Sequence, residues 1–291
     1  MSGLVSVVIP THNRAELLRK ALLSILAQDY DNYEIIIVID ACTDKTLSVI
    51  NEFNDDRIKI INSDVNLGGA QARNVGIKEA RGEYIAFLDD DDEWMSNKLS
   101  EQIAVFDTYD DIAIVTCNYN YYKNKKLISS NMKKMISIDD ILYYNYCGSF
   151  SFCITKSMHI KELIDKELKA CQDWDLWIKI LKSTGLCARS VRKNLVVYNT
   201  LNIKRLTTDR ENAYSSYVIF LKAHWNSMNQ SQKYYNLFKL VKLNRVLHLK
   251  KKSYLFNIKV YYKALRSYYL SGYDQNIYNY IKFLPKLFKY H

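Results

Sequence analysis

Short apolar runs alternate with amphipathic segments through the first hundred residues of the chain. A continuous apolar run predicts a parallel strand covered on both faces, and apolar positions three and four apart predict a helix. The predicted strands are residues 4–9, 34–39, 57–61 and 83–88. The predicted helices between them are residues 14–28, 43–53 and 68–80. Strands separated by helices imply right-handed crossovers, so the pattern predicts an α/β fold with a mostly parallel sheet flanked by helices.

The alternation is looser after residue 95 and ends near residue 208. The predicted elements of this part are a helix at 96–107, a strand at 112–117, a hairpin or loop at 119–126, a strand at 150–155, a helix at 172–183 and a strand at 195–198. From about residue 209 onward only helical patterns occur, rich in Tyr, Lys, Leu and Asn. The sequence therefore predicts an α/β domain at 1–208 and an all-helical C-terminal region at 209–291.

The bulk composition excludes several classes of protein. The 291 residues are 48% hydrophobic, which is enough for a full core, and no run approaches the roughly 18 apolar residues of a membrane-spanning helix. The N-terminal apolar run is too short for a signal peptide, so we expect a cytoplasmic protein. The six cysteines form no CxxC pair and no zinc cluster, and we expect them to be reduced.

The basic charge is concentrated in the last sixty residues. The whole chain carries +10, and residues 233–291 hold thirteen Lys or Arg against Asp274 alone, so the rest of the chain is near −2. Amphipathic helices rich in basic and aromatic residues suit the surface of an anionic membrane. A helical subdomain that forms a homodimer interface is an open alternative. No RNP, KH or helix-turn-helix signature is present, so we expect no nucleic acid to bind.

Four consecutive aspartates, Asp89, Asp90, Asp91 and Asp92, follow the predicted strand at 83–88. The carboxyl ends of parallel strands face the ligand crevice of an open α/β sheet, and four carboxylates there repel one another. A divalent cation would relieve that repulsion and hold a diphosphate. In an extended segment Asp89 and Asp91 would point the same way, with Asp91 as the direct metal ligand. The alternative is a solvated acidic turn.

Two earlier loops follow strands at the same predicted edge of the sheet. The first loop contains Pro10, Thr11, Asn13 and Arg14. It precedes a helix N-terminus, which can bind an anion, although Asn13 fits equally well as a simple helix cap. In the second loop, the carboxylate of Asp40 is suited to accept the imide N–H of a uracil.

The loop after the third predicted strand is rich in glycine. Asn66 begins it, and Arg73 lies one or two turns into the helix that follows. Glycines permit close approach of the backbone to a ligand, and Arg73 could reach a phosphate or a base. The loop has no GxGxxG pattern and does not follow the first strand, so a dinucleotide-binding Rossmann domain is disfavoured.

A last candidate lies at the start of the predicted helix at 172–183, where Gln172 and Asp173 precede Trp174. Asp173 suits a helix cap, and the helix dipole would stabilise its ionised form. An ionised carboxylate that faces a cleft also suits a general base, so both interpretations stay open. We expect Trp174 in the core rather than as a platform for a sugar.

Together these motifs resemble the inverting family 2 glycosyltransferases of the GT-A fold, over roughly residues 4–182. The segments that carry the resemblance, in this order, are 6–14, Asp40, 66–74, 82–92 and 172–174. Gln172 stands where relatives usually have Glu. Many relatives also carry a metal-binding histidine after the last strand, but residues 199–208 contain none.

The resemblance implies a role for each candidate residue. The nucleoside pocket would be lined by Pro10, Thr11, Asn13 and Arg14, and Asp40 would read uracil. The nucleotide would also be held by Asn66, Arg73 and Asp90. Asp89 and Asp91 would match the DxD positions for ribose and metal, and Asp173 would be the catalytic base. Asp92, Trp174, Lys204 and Arg205 would be possible contacts of the diphosphate or the acceptor.

The implied reaction is transfer of a sugar, with inversion and with Mn²⁺ or Mg²⁺ as cofactor, from a nucleotide-sugar, expected to be a UDP-sugar. The implied acceptor is a glycan or a polyprenyl- or lipid-linked glycan in the synthesis of bacterial surface polysaccharide or lipopolysaccharide, such as O-antigen or capsule. Peripheral attachment to the cytoplasmic face of the inner membrane would fit such an acceptor. The alternatives are a catalytically inactive nucleotide-sugar-binding protein and a nucleic-acid-binding protein.

Overall fold

The computed structural model describes residues 3–123, 126–199 and 209–246. The chain divides into two compact units, with the division after Thr208. The first unit is a ten-stranded mixed sheet flanked by helices, which confirms the predicted fold class. None of the helices in the described ranges is long and apolar enough to cross a membrane.

One side of the sheet is a block of four parallel strands, and the antiparallel pairings lie on the other side. The strands are β1 (Val5–Thr11), β2 (Tyr33–Asp40), β3 (Ile58–Ser63), β4 (Tyr84–Phe87), β5 (Glu93–Trp94), β6 (Ile112–Lys123), β7 (Lys126–Ser129), β8 (Met135–Ile136), β9 (Ile154–Lys156) and β10 (Cys187–Tyr198). They lie in the order β3-β2-β1-β4-β9-β6-β10-β5, with β7 on β6 and β8 on β10. Strand β9 is antiparallel to both of its neighbours, so β4 and β6 point the same way.

Continuous apolar runs form the central strands because both of their faces are covered. Every residue of β1 and β2 is buried, and β1 pairs in parallel with β2 and β4. The first unit contains the helices α1 (Ala15–Leu26), α2 (Thr46–Asn51), α3 (Gly68–Glu79), α4 (Lys98–Thr108), α5 (Ile138–Tyr143) and α6 (Gln172–Thr184). Helix α3 packs so closely on β1 that a Cβ on Gly76 would lie 2.3 Å from Val8 Cγ1.

An aromatic cluster anchors the carboxyl end of β4. The ring of Phe87 lies 5.1 Å from Phe150 and 6.0 Å from Trp177, centroid to centroid. All three rings are buried, and the indole N–H of Trp177 donates to the carbonyl of Gly148 at 3.2 Å. This packing fixes the point at which the four aspartates leave the sheet.

Two predicted strands differ from those observed. The segment 150–155 begins as a 3-10 turn at Phe150–Phe152, and only Ile154–Lys156 is a strand. In the turn Phe150 packs on Phe87, while Phe152 stacks on Tyr119 at 4.3 Å. The strand predicted at 195–198 is only the end of β10. The earlier part of this strand was not predicted, because basic residues interrupt its apolar pattern. The hairpin predicted at 119–126 is confirmed, since β6 continues to Lys123 and pairs with β7.

The described part of the second unit is a helical hairpin. It consists of α7 (Arg210–His224), a 3-10 turn at Trp225–Ser227 and α8 (Gln230–Val246). Asp209 caps α7, because its side chain accepts the backbone N–H groups of Glu211 and Asn212. A buried hydrogen bond of 2.6 Å from the Tyr217 hydroxyl to Asn236 joins the two helices.

Candidate active site

Strands β1, β2, β3 and β4 run parallel, so their carboxyl ends meet at one edge of the sheet. The loops that follow them are in direct contact. The Thr11 hydroxyl donates to Asp90 Oδ2 at 2.8 Å, and Arg14 Nη1 donates to Asp90 Oδ1 at 2.9 Å. The backbone N–H of Gly68 donates to Asp40 Oδ2 at 2.9 Å. The predicted loops therefore form one continuous polar edge.

The four aspartates, which we call the aspartate turn (residues 89–92), are not extended. The N–H of Asp92 donates to the carbonyl of Asp89 at 3.0 Å, which closes a turn. The prediction that Asp89 and Asp91 alternate on one face of an extended segment is wrong. The turn directs the carboxylates to different partners, and this separates like charges that an extended segment would align in pairs.

The first carboxylate of the turn, Asp89, pairs with Arg73. An Nη2 donor of Arg73 bonds to Asp89 Oδ1, and the Ser149 hydroxyl donates to Asp89 Oδ2 at 3.0 Å. The backbone N–H of Asp89 donates to Ser151 Oγ at 3.0 Å. The two serines hold both the backbone and the side chain of Asp89 in place.

Arg73 is itself held from several directions. Its Nη1 donates to Gln172 Oε1 at 2.9 Å and to the carbonyl of Gly69 at 3.0 Å, and its guanidinium lies 4.3 Å above the Phe150 ring. Its Nε is buried and has no hydrogen-bond partner in the described part of the chain. The hydrogen bond between Gln172 and Arg73 therefore links the start of α6 to the aspartate turn.

Asp90 points toward the first loop. It is 5% exposed and pairs with Thr11 and Arg14. Burial raises the pKa of Asp90 even though the Arg14 charge lowers it. Arg14 also lies 3.3 Å from Asp91 Oδ2, so one guanidinium bridges two neighbouring carboxylates. The pairing keeps Asp90 out of reach of solvent and makes it a structural link between β1 and β4.

Asp92 is fully buried, and its Oδ1 accepts the backbone N–H of Asn199 at 3.0 Å. Its Oδ2 is buried without a hydrogen-bond partner among the described residues. Burial, together with the negative charges of Asp89 and Asp91, raises the pKa of Asp92 well above its ordinary value. The turn therefore concentrates more negative charge than its arginines neutralise.

These residues fit a divalent metal of the Mg²⁺ or Mn²⁺ kind. Carboxylate oxygens are the hard donors that such ions prefer, and Asp92 Oδ2, buried without a hydrogen-bond donor among the described residues, is an acceptor that a nearby cation would stabilise. No group of three His, Cys, Asp or Glu side chains within the described ranges is arranged to hold a metal alone. Mg²⁺ is usually bound by one or two carboxylates together with substrate phosphates, so a diphosphate would complete the site.

Asp173 lies in the first turn of α6, beside Gln172. Its carboxylate is half-buried and accepts the backbone N–H of Trp174 at 2.7 Å. Burial raises the pKa of Asp173 to about 6, with the charge of Asp89 adding to the rise while Arg73 and the N–H of Trp174 lower the pKa. The expected stabilisation of the ionised form by the helix start is therefore outweighed. A carboxyl with this pKa can accept a proton near neutral pH.

The loops after β1 and β2 are tied together by side chains. Asn13 has a φ of 53°, and its Oδ1 accepts the backbone N–H of Thr43 at 2.7 Å, so Asn13 does not cap α1. Instead, Asp44 accepts the N–H of Ala15 at 3.1 Å. The interpretation of Asn13 as a cap of the first helix is wrong, because the loop after β2 takes its side chain.

Asp40 is 4% exposed, and its two oxygens accept the backbone N–H groups of Leu67 and Gly68. It therefore orders the glycine-rich loop, and a bound base would share these oxygens with the backbone. His12 bonds through its ring to the carbonyl of Asp40 and lies 3.5 Å from the Asn66 amide. Pro10, near the end of β1, is also buried. The recognition of uracil by Asp40 stays a prediction.

Comparison with known proteins decides the family. The sequence pattern of "Glycosyl transferase family 2" matches residues 6–168, which is more than half of the chain. The chain is also 38% identical over 201 residues to the Escherichia coli UDP-Glc:alpha-D-GlcNAc-diphosphoundecaprenol beta-1,3-glucosyltransferase WfaP, covering 66% of this chain and 75% of that protein. The chain is a family 2 glycosyltransferase.

A second relative covers more of the transferase. The chain is 31% identical over 248 residues to the putative colanic acid biosynthesis glycosyl transferase WcaA of Escherichia coli K12, covering 82% of this chain and 88% of that protein. Among solved structures, S. aureus TarS 1–349 in complex with UDP-GlcNAc superposes with a TM-score of 0.68 at 19% identity, over 90% of this chain and 81% of that one. At this identity the likeness confirms the GT-A fold alone.

Of the other candidates for acceptor or diphosphate contacts, Trp174 lies among the described residues. The indole of Trp174 is 6% exposed and its N–H donates to the carbonyl of Ile141 at 2.6 Å, so the ring belongs to the core, as expected. Lys204 and Arg205 lie outside the described residues.

Several residues of the transferase site were missed in the sequence. They are Ser149, Ser151 and Asn199, and Gln172 was noted only as a substitution. Each acts by a hydrogen bond to a residue at least sixty positions away, and no local pattern marks such a partner. Ser149 and Ser151 do alternate with Phe150 and Phe152, and this alternation of polar and aromatic residues is the local signal that the segment offered.

Proposed function

We propose that this family 2 glycosyltransferase moves a hexosyl group from a UDP-sugar to a lipid-linked glycan, with inversion at the anomeric carbon. The observation that carries the proposal is the position of Asp173, a half-buried carboxylate with a pKa raised to about 6 beside the Gln172–Arg73–Asp89 contacts. The relatives WfaP and WcaA support the choice of a lipid-linked acceptor and of surface polysaccharide synthesis.

In the proposed reaction, Asp173 accepts the proton of the acceptor hydroxyl as its oxygen bonds to the anomeric carbon. The bond from that carbon to the diphosphate breaks on the opposite face, and the nucleoside diphosphate leaves with the bonding electrons. At pH 7 a carboxyl with a pKa near 6 is mostly ionised, so Asp173 is ready to accept the proton. The residue is only partly buried, which supports access of a hydroxyl to its carboxylate.

We assign the donor to the side of the aspartate turn opposite to Asp173. Pro10, Thr11, Asn13, Arg14, Asp40 and Asn66 would form the nucleoside pocket. Arg73 and Arg14 are the positive charges nearest to the aspartates, and they would face the diphosphate. Asp91 would hold Mn²⁺ or Mg²⁺, which supplies a Lewis acid for the leaving diphosphate.

The first experiment is a thermal-shift screen against UDP-, GDP-, dTDP- and CMP-sugars, each with and without Mn²⁺. A ligand at a hundred times its Kd should stabilise the native state by about 2.7 kcal/mol. We expect a metal-dependent rise in Tm with UDP-sugars. Asp91→Ala should lose the metal-dependent part, whereas Asp110→Ala, an equal change of charge at an exposed position before β6, should keep it. An unchanged shift in Asp91→Ala would remove Asp91 from the metal site.

The second experiment tests the base. Asp173→Asn should bind the donor with wild-type affinity and lose turnover, because the amide has no basic oxygen of comparable strength. Turnover is measured as release of UDP in the presence of a synthetic N-acetylglucosaminyl diphospholipid. Turnover retained by Asp173→Asn would exclude Asp173 as the base.

We further propose that the basic C-terminal region holds the enzyme at the cytoplasmic face of the inner membrane. Its described part, α8, carries Lys233, Lys239, Lys242 and Arg245 and no acidic residue. Basic residues near an anionic surface contribute about 1 kcal/mol each. The full chain should float with vesicles containing phosphatidylglycerol in low salt, and a chain lacking residues 233–291 should float less. Equal flotation would favour the homodimer alternative.

A further inference from the structure

We propose that a cluster of aromatic side chains at the carboxyl ends of β6 and β10 binds the sugar ring of the acceptor; this assignment rests on the proposed transferase function. We call the cluster the aromatic rim. Its members are Tyr119, Tyr121, Tyr144, Tyr146, Phe152 and Tyr198.

The rings of the rim contact one another around Tyr119. Tyr119 is stacked on Phe152 at 4.3 Å between centroids and meets Tyr198 edge-on at 5.7 Å. Tyr121 lies 5.8 Å from Tyr119 along the same strand. Burial raises the pKa of Tyr119, and the neighbouring hydroxyls of Tyr144 and Tyr121 raise it further. Tyr119, Tyr121, Phe152 and Tyr198 thus form one contact cluster drawn from three segments of chain, and Tyr144 and Tyr146 form a second pair with ring centroids 5.3 Å apart.

The segments of the rim are hydrogen-bonded to the aspartate turn. Asn199, which follows Tyr198, donates its backbone N–H to Asp92 at 3.0 Å. Ser151, which precedes Phe152, accepts the N–H of Asp89, and Ser149 on the loop after Tyr146 donates to the Asp89 carboxylate. Each contact fixes one part of the rim beside the turn.

The sheet order places the rim on the acceptor side. The candidate donor loops follow β1, β2 and β3, on one side of β4, whereas β6 and β10 lie on the other side of it. The aspartate turn follows β4, between the two sets. A sugar on the rim would thus approach the anomeric carbon of the donor from the side opposite the nucleoside diphosphate, as an in-line displacement requires.

The exposure and chemistry of the rings suit a carbohydrate. Phe152 is buried and forms the base of the cluster, whereas Tyr144 is 50% exposed and Tyr119, Tyr121 and Tyr198 are half-buried. A tyrosine ring offers an apolar face for the C–H groups of a pyranose, and its hydroxyl can bond to a sugar hydroxyl.

The test uses the full chain loaded with UDP and Mn²⁺, and the probes are the methyl glycosides of glucose, galactose, N-acetylglucosamine and N-acetylgalactosamine. Saturation-transfer NMR should show binding of at least one glycoside, and Tyr144→Ala should weaken it about three- to tenfold. Tyr144→Phe, which keeps the ring, should restore most of the binding. Tyr109→Ala removes a tyrosine of similar exposure (37%) at the opposite end of β6 and should leave binding unchanged.

Each outcome is decisive. If no glycoside binds, or if both Tyr144→Ala and Tyr121→Ala bind as the wild type does, the rim is not a sugar site. UDP affinity, measured by calorimetry on the same proteins before any nucleotide is added, separates the two proposals. UDP binding without glycoside binding overturns the rim and leaves the donor site standing. Glycoside binding that depends on Tyr144 without UDP binding keeps the rim as a carbohydrate site and overturns the proposed transfer from a UDP-sugar.

Discussion

The turnover of this transferase should fall about tenfold between pH 7 and pH 5, because Asp173 must be ionised to accept a proton. With the pKa of Asp173 raised to about 6, about 90% of the carboxyl is ionised at pH 7, half at pH 6 and about 9% at pH 5. An aspartate with the ordinary pKa of 3.8 would stay more than about 90% ionised at pH 5. The raised value therefore predicts a decline that an unperturbed aspartate would not produce.

The assay is kcat/KM for the donor, from initial rates of UDP release at donor concentrations well below KM, from pH 4.5 to 8. This ratio follows the titration of the enzyme without bound donor, which is the state to which the pKa of about 6 belongs. UDP binding must be measured over the same range, because burial also raises the pKa values of Asp90 and Asp92 in the aspartate turn. We expect kcat/KM to fall by almost half between pH 7 and pH 6, beyond any change in UDP affinity. A kcat/KM that stays constant down to pH 5, or that falls only in step with UDP affinity, would refute the assignment of this titration to Asp173.

Two further predictions concern stability, measured by urea unfolding. Gly76→Ala should lower the free energy of unfolding by about 1–3 kcal/mol, because its Cβ would meet Val8 at 2.3 Å, and Val8→Ala in the same chain should recover part of the loss; additive effects would show that the two side chains do not clash. Glu34 is buried, and burial by itself would raise the pKa of its carboxyl. Hydrogen bonds from a serine hydroxyl and from Arg81 outweigh this effect and lower the pKa of Glu34. The contribution of Glu34 to stability should therefore be present near pH 7 and be lost as the pH falls below about 4. Glu34→Gln should be less stable than wild type at pH 7 and should show a smaller loss between pH 7 and pH 3; an equal loss in both proteins would exclude Glu34 as a source of the acid sensitivity.

The sequence alone was sufficient to predict the strand that leads to the candidate site and to recognise the motifs in their order. The apolar run before Asp89 has to be buried, and a parallel sheet brings the ends of such strands together whatever their spacing in the chain. The resemblance to family 2 glycosyltransferases, confirmed by the match over residues 6–168, rests on the same loops. These features depend on local composition, which a single sequence contains.

The conformation of the aspartate turn was beyond the sequence for a physical reason. Asp90 is held by Arg14, 76 residues earlier, and Asp92 by the backbone of Asn199, 107 residues later. Aspartate is common in turns and rare in strands, so local rules allowed the turn that was kept as the alternative, but they could not supply these distant partners. The pKa of Asp173 was misjudged in the same way, because the helix start is a local feature whereas burial is set by the whole fold.

The bond from Asn199 to Asp92 also constrains the order in which the protein can acquire its native form during synthesis. The strands β1 to β4 are complete after 87 residues, yet the fourth aspartate gains its backbone partner only when residue 199 has left the ribosome. Until then its carboxylate, with an orphaned oxygen and like charges beside it, is more stable in water than inside the protein. A nascent chain that stops short of β10 should therefore carry a hydrated acidic loop in place of the aspartate turn. The candidate active site would then form as one of the last steps of folding during synthesis.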